Sequence, residues 1–244
     1  MIFLVLASLI GSVLLGGVLV SLLRKSKNEQ LIKLMLAFSG GFLLSIGFIH
    51  FIPELYESSE LKIGVFILLG FLIQLILELF SGGIEHGHVH VHGIAKKIPF
   101  GIVIALCIHS FIEGMPLGNQ LAGGELAISH HHENDNSLLL GIIFHRIPVA
   151  IALMTLLVSS KVSSLNAWLI LLVFALTAPI GAIFGMSLSN NQIDLDFNIL
   201  LAIVVGMFLH ISTTIIFETS ENHKFNFLKL LTIIGGCGLA FLIH

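Results

Sequence analysis

Charge is what this chain has least of. Of its 244 residues only 10% are Asp, Glu, Lys or Arg, 56% are hydrophobic, and the mean hydropathy is +1.06. A soluble domain needs a charged and polar surface, so the composition excludes one and points to an integral membrane protein. The formal net charge of -3 leaves no basic excess for nucleic acid, which is excluded as a partner. Cysteine is scarce as well: Cys107 and Cys237 are the pair present, both inside apolar runs. That excludes a disulfide framework and leaves them as small packing residues. No linker is long enough to divide the chain, so residues 1–244 read as a single transmembrane domain.

What fills the chain instead is long apolar runs. A membrane-spanning helix needs roughly 20 mainly apolar residues, and irregular backbone cannot face lipid. Eight runs qualify, at approximately 2–23, 31–52, 63–80, 98–121, 138–159, 165–188, 197–217 and 225–243. The fold class is therefore all-α, with eight transmembrane helices. The first run has no basic residue before it and is longer than a signal core, so it reads as a retained helix.

The few basic residues are distributed unevenly. Arg24, Lys25, Lys27 and Lys33 lie around the first connection, Lys96 and Lys97 around the third, Lys161 in the fifth, and Lys224 and Lys229 around the seventh. Lys62, in the second connection, and Arg146, inside a helix, are the exceptions. The positive-inside rule makes the odd connections cytoplasmic and puts both termini on the extracytoplasmic side.

Two connections are rich in histidine. Residues 81–97, on the cytoplasmic side, carry His86, His88, His90 and His92; residues 122–136, outside, carry His130, His131 and His132 beside Glu133 and Asp135. Imidazole is the commonest side-chain metal ligand, and such tracts suit capture or buffering of a borderline cation such as zinc.

Inside the fourth and fifth runs stand the segments His109-Ser110-Phe111-Ile112-Glu113-Gly114 and His145-Arg146-Ile147-Pro148. Ionisable groups at membrane depth are costly and are by default candidates for function. His109 and Glu113 are four residues apart and share a helix face. His145 lies at a comparable depth, and Pro116 and Pro148 should bend both helices beside these groups. Two nitrogens and one oxygen suit tetrahedral zinc and tolerate other first-row cations. The plain alternative is helix-to-helix hydrogen bonding, with Glu113 paired to Arg146. Arg146 stays protonated and needs a carboxylate, carbonyls or water; Glu113 is the nearest partner by depth. Ser110, His50, Glu54 and His210 are auxiliary candidates: a weak hydroxyl contact, an outer guide or cap, and an inward relay or a helix-to-helix bond. Glu78 and Glu218 near helix ends need only solvated or snorkelling roles.

These residues resemble the ZIP family of zinc and iron transporters, whose fourth-helix signature runs His-Asn/Ser-x-x-Glu/Asp-Gly and whose fifth-helix signature begins with His, often with Pro at its fourth place. The likeness extends to the His-rich third connection, to His50-Phe51-Ile52-Pro53-Glu54 and to Pro179-Ile180-Gly181. It implies a three-plus-two-plus-three bundle with the transport site on the fourth and fifth helices. It also implies inverted repeats that no internal sequence repeat reveals, and alternating access with the central helices sliding against the rest. The chain departs from many relatives where they carry ligands for a second metal: Val149 and Ala178 replace acidic residues, and Arg146 resembles the subgroup with a basic residue in the fifth-helix motif. A single-metal site is expected, with the guanidinium in place of the second cation.

The expected function is a divalent metal transporter, not an enzyme, that carries Zn2+ into the cytoplasm, with Fe2+, Mn2+ and Cd2+ as further candidates. Zinc is the substrate and no cofactor is expected. The setting is the plasma membrane, or the inner membrane of a bacterium, with a homodimer left open. The rivals are an intramembrane zinc hydrolase, which lacks a His-Glu-x-x-His pair or further catalytic acid, and a metal sensor or store that uses the loops alone.

Overall fold

The computed structural model describes residues 2–22, 29–58, 62–81, 100–124, 126, 136–160, 162–191, 195–218 and 227–243. His86, His88, His90, His92, His130, His131 and His132 lie outside the described residues. The chain folds into α1 (Ile2–Leu22), α2 (Glu29–Ile46), a π turn (Gly47–Phe51), α3 (Ile52–Ser58), α4 (Ile63–Ser81), α5 (Phe100–Leu121), α6 (Ser137–Ser159), α7 (Ser164–Asn190), α8 (Phe197–Glu218) and α9 (Phe227–Ile243). Among the described residues, seven helical stretches are long and apolar enough to cross a membrane, and Phe227–Leu242 is a shorter eighth. These are the eight apolar runs of the sequence, and the protein is an all-helical membrane protein.

Two local features concern the prolines. The helices do not break at their prolines: α5 continues through Pro116, α6 through Pro148 and α7 through Pro179. The irregularity falls in the second span, which runs on through the π turn and α3 to Ser58. Pro53 has no N–H to offer the preceding turn, and a π turn, here with Ile52 N–H bonded to the Gly47 carbonyl, is one way a helix takes up such a loss. The extra residue leaves Phe48 and Ile49 outward and turns His50 inward.

Polar groups in apolar surroundings must bond within the protein, and side chains between helices are too similar to lipid to drive association by burial alone. Close backbone approach at small residues does that work here. A side chain on Gly118 would run into the Ala182 carbonyl, and one on Gly181 into the Phe111 carbonyl, so α5 and α7 lie in backbone contact. The same reciprocal approach joins α4 to α8 at Gly70 and Gly206, and α2 to α9 at Gly41 and Gly236. At Gly16 an added Cβ would stand 2.8 Å from Ala150 Cβ, which joins α1 to α6.

These contacts sort the helices into two groups. One holds α1, α5, α6 and α7, with a core of Val13, Leu106, Val149, Leu153, Leu171 and Phe174. The other holds α2, α4, α8 and α9. Between the groups the glycines stand farther off: an added Cβ at Gly101 would meet the Phe80 carbonyl at 3.3 Å, and one at Gly141 would meet Leu43 at 3.8 Å. The boundary is filled by side chains, including Phe42, Leu138, Ile142 and Phe208. The outer faces carry Leu68, Leu79, Phe80, Leu165 and Phe241 exposed, as lipid contact requires.

Candidate metal centre

On α5 the residues Ala105, His109, Glu113 and Leu117 recur every four positions and are all buried, which makes one inward stripe of that helix. His109 Nε2 lies 3.2 Å from Glu113 Oε2, with both side chains buried. Tetrahedral zinc with bonds of about 2.0–2.1 Å places neighbouring ligand atoms about 3.3 Å apart, so this pair already spans one edge of such a site. Ser110 Oγ donates to the other carboxylate oxygen, Glu113 Oε1, at 3.3 Å.

From α6, His145 presents its ring at 74° to that of His109, with centroids 5.7 Å apart. Two imidazoles on one tetrahedral cation have centroids roughly 5 Å apart, so a small adjustment separates the observed arrangement from joint ligation. Among the described residues no three His, Cys, Asp or Glu side chains are yet close enough to enclose a metal ion. The structure brings two candidate donor atoms into register and leaves the His145 ring nearby.

Arg146 is almost wholly buried, at 1% exposure. Its Nη2 donates to the carbonyls of Phe174 at 3.0 Å and Ala175 at 3.3 Å on α7. The Ala175 carbonyl is the one that Pro179, lacking an N–H, leaves without its helical donor. Arg146 also stacks 5.2 Å from the centroid of the Phe174 ring. Its Nη1 is 4.0 Å from Glu113 Oε1, so the ion pair with Glu113 is the looser contact. Val149 sits in the apolar core of its group, and the Ala178 carbonyl lies against Gly114.

The auxiliary residues lie apart from this centre. His50 Nδ1 is 3.2 Å from Glu54 Oε1, a buried pair set up by the π turn. His210 Nε2 on α8 is 3.3 Å from Glu78 Oε2 on α4, with Phe71 packed edge-on at 4.7 Å. Glu78 therefore turns inward to a neighbouring helix rather than snorkelling.

Sequence reading missed Gln74. It is fully buried on α4, and its Oε1 lies 2.9 Å from His109 Nδ1. The available signal was its spacing: Gln74 and Glu78 are four apart, two polar groups on one face of an otherwise apolar helix.

The family model described as ZIP Zinc transporter matches residues 88–244. Protein zntD of Dictyostelium discoideum is 32% identical over 181 residues, 67% of this chain and 25% of that protein. Zinc transporter zipt-7.1 of Caenorhabditis briggsae is 21% identical over 88% of this chain and 72% of its own length. Zinc transporter ZIP9 of Micropogonias undulatus is 25% identical over 65% of this chain and 51% of its own. The chain thus spans a quarter of the first of these and about half of the last. With the paired fourth- and fifth-helix motifs buried face to face and most of the chain matched, the protein belongs to the ZIP zinc transporter family, whose members are transporters and not enzymes.

Proposed function

We propose that this chain carries Zn2+ across the plasma membrane into the cytoplasm by alternating access, through one intramembrane site made by His109, Glu113 and His145. The observation that carries the reading is the buried His109–Glu113 edge, 3.2 Å from nitrogen to oxygen, with the His145 ring beside it. Fe2+, Mn2+ and Cd2+ have compatible ligand demands and are the competing cargoes to test. The basic residues of the odd connections support an orientation with both termini outside.

Arg146 holds the place of a second cation. Its hold on the α7 carbonyls keeps the guanidinium near Glu113 without occupying the carboxylate, so Glu113 remains free to bind metal and is compensated when the metal leaves. His50 and Glu54 guide the ion from outside, and His210 with Glu78 serves chiefly as a bond between α4 and α8. The histidine tracts at 86–92 and 130–132 buffer metal on either side.

The three-plus-two-plus-three repeat is supported by how the helices pair. Exchanging α1 with α7, α2 with α8, α4 with α9 and α5 with α6 turns the α5·α7 contact into α6·α1 and the α2·α9 contact into α8·α4, all four of which are major packing pairs. The two groups so formed are natural rigid bodies, and the side-chain boundary between them is where sliding would occur. Zinc titration of purified protein with the seven loop histidines replaced tests the site. One zinc per chain, lost on Glu113→Gln, is expected; two tight zinc ions per chain, or one that survives the substitution, would contradict it.

A further inference from the structure

Gln74 belongs to one helix group and His109 to the other. α4 is locked to α8 through Gly70 and Gly206, whereas α5 is locked to α7 through Gly118 and Gly181. The 2.9 Å contact between Gln74 Oε1 and His109 Nδ1 therefore crosses the boundary between the two bodies. An amide oxygen can only accept, so His109 Nδ1 carries the proton and donates. With Nδ1 turned to Gln74, Nε2 is the ring nitrogen on the side where Glu113 Oε2 stands, and it is the one the ring can offer to a metal. A partner on the remote nitrogen of a metal-binding imidazole fixes its tautomer and ring orientation, and its loss typically costs 10–100-fold in metal affinity.

Resting on the zinc-site reading above, we propose that Gln74 is a positioning residue for that site, contributed by the opposite half of the bundle. It orients His109 for metal only while the two halves stand as they do here. Sliding of α5 past α4 breaks the bond, frees the ring to turn, and lowers the affinity in the arrangement that releases the ion. A carrier needs such a difference, since a ligand shifts an equilibrium only by its differential affinity for the two states. The helix that supplies Gln74 is otherwise strongly lipid-facing, with Leu68, Leu72, Leu75, Ile76 and Leu79 exposed, so a fully buried amide there has a specific target.

The test compares wild type, Gln74→Leu, Gln74→Glu, His109→Ala and the Gln74→Leu/His109→Ala double variant, all with the loop histidines replaced. Zinc binding and zinc flux are both measured. Gln74→Leu is expected to weaken binding 10–100-fold and to raise KM with maximal flux kept within about threefold. Gln74→Glu, which keeps an acceptor, is expected to bind at least as tightly as wild type. In the His109→Ala background Gln74→Leu should add nothing. Wild-type affinity in Gln74→Leu, a Gln74→Glu protein as weak as the leucine variant, or additive losses in the double variant would overturn the proposal. If His109→Ala itself leaves zinc binding intact, the site assignment fails instead, and the two failures are distinguishable.

Discussion

Arg146 Nη2 lies 3.0 Å from the Phe174 carbonyl, one helical turn and a half before Pro179, and the guanidinium is held more closely by α7 than by the Glu113 carboxylate at 4.0 Å. Its second acceptor, the Ala175 carbonyl at 3.3 Å, is the one that Pro179 leaves without its helical donor, so a proline on one helix helps to hold a buried cation on another. The arrangement keeps a positive charge 4.0 Å from the Glu113 carboxylate while its hydrogen bonds go to α7.

Replacing that charge should separate binding from turnover. In Arg146→Gln the repulsion between guanidinium and Zn2+ is gone, so zinc affinity rises several-fold. The empty Glu113 then lacks its counter-charge, so stability falls by about 3 kcal/mol and flux falls too. Isothermal titration, thermal unfolding and flux measured on the same variant check the three directions together; weaker zinc binding would argue that Arg146 organises the site by contact rather than by charge.

Close helix packing predicts a sharp contrast between glycines. Gly114→Ala forces a methyl group against the Ala178 carbonyl and should cost about 1–3 kcal/mol through displacement of α7. Gly11→Ala meets no atom within 4 Å and should be neutral or stabilising by up to about 1 kcal/mol. Unfolding midpoints in detergent distinguish the two, and equal midpoints would mean that α5 and α7 are not in backbone contact.

For the His210–Glu78 pair the expected signature is structural. His210→Ala leaves Glu78 without that partner and should destabilise by about 1–3 kcal/mol, whereas His210→Leu with Glu78→Leu recovers much of the loss. Zinc KM should change less than about threefold in both. A tenfold rise in KM at unchanged stability would instead place the pair on the ion's path.

Much of this was legible before any coordinates. Residues 2–23, 63–80 and 197–217 are apolar enough that only helices satisfy their backbones, and the i,i+4 spacing of His109 and Glu113 already implied a shared face. The grouping of helices was not legible, because it depends on which glycine faces which carbonyl across 60 or more residues, as with Gly181 and Phe111. Nor was the partner of Arg146: Pro179 marks a freed carbonyl at Ala175, but nothing in the sequence says that α7 lies beside Arg146. Pro53 was visible, but whether a proline kinks a helix or inserts a π turn depends on packing around His50. Gln74 went unnoticed because one amide in a leucine-rich helix says nothing of what it faces until α4 is laid beside α5.

Acid should oppose zinc, with a definite sign. Side chains that hold a metal ion must shed their protons to bind it. Lowering pH from 7.5 to 5.5 should weaken zinc binding, because protons compete with the metal for the same donor atoms. The pH dependence should be weaker in His145→Ala, which has lost one of the proposed donors. Binding measured across that range with the loop histidines replaced checks both statements.

Zinc flux into proteoliposomes that contain wild type, His109→Ala, Glu113→Gln or His145→Ala, each verified as folded by its unfolding midpoint, tests the transport reading most directly. Saturable zinc uptake by wild type that falls to background in all three variants is the predicted result. Uptake that persists undiminished in folded Glu113→Gln protein would contradict it.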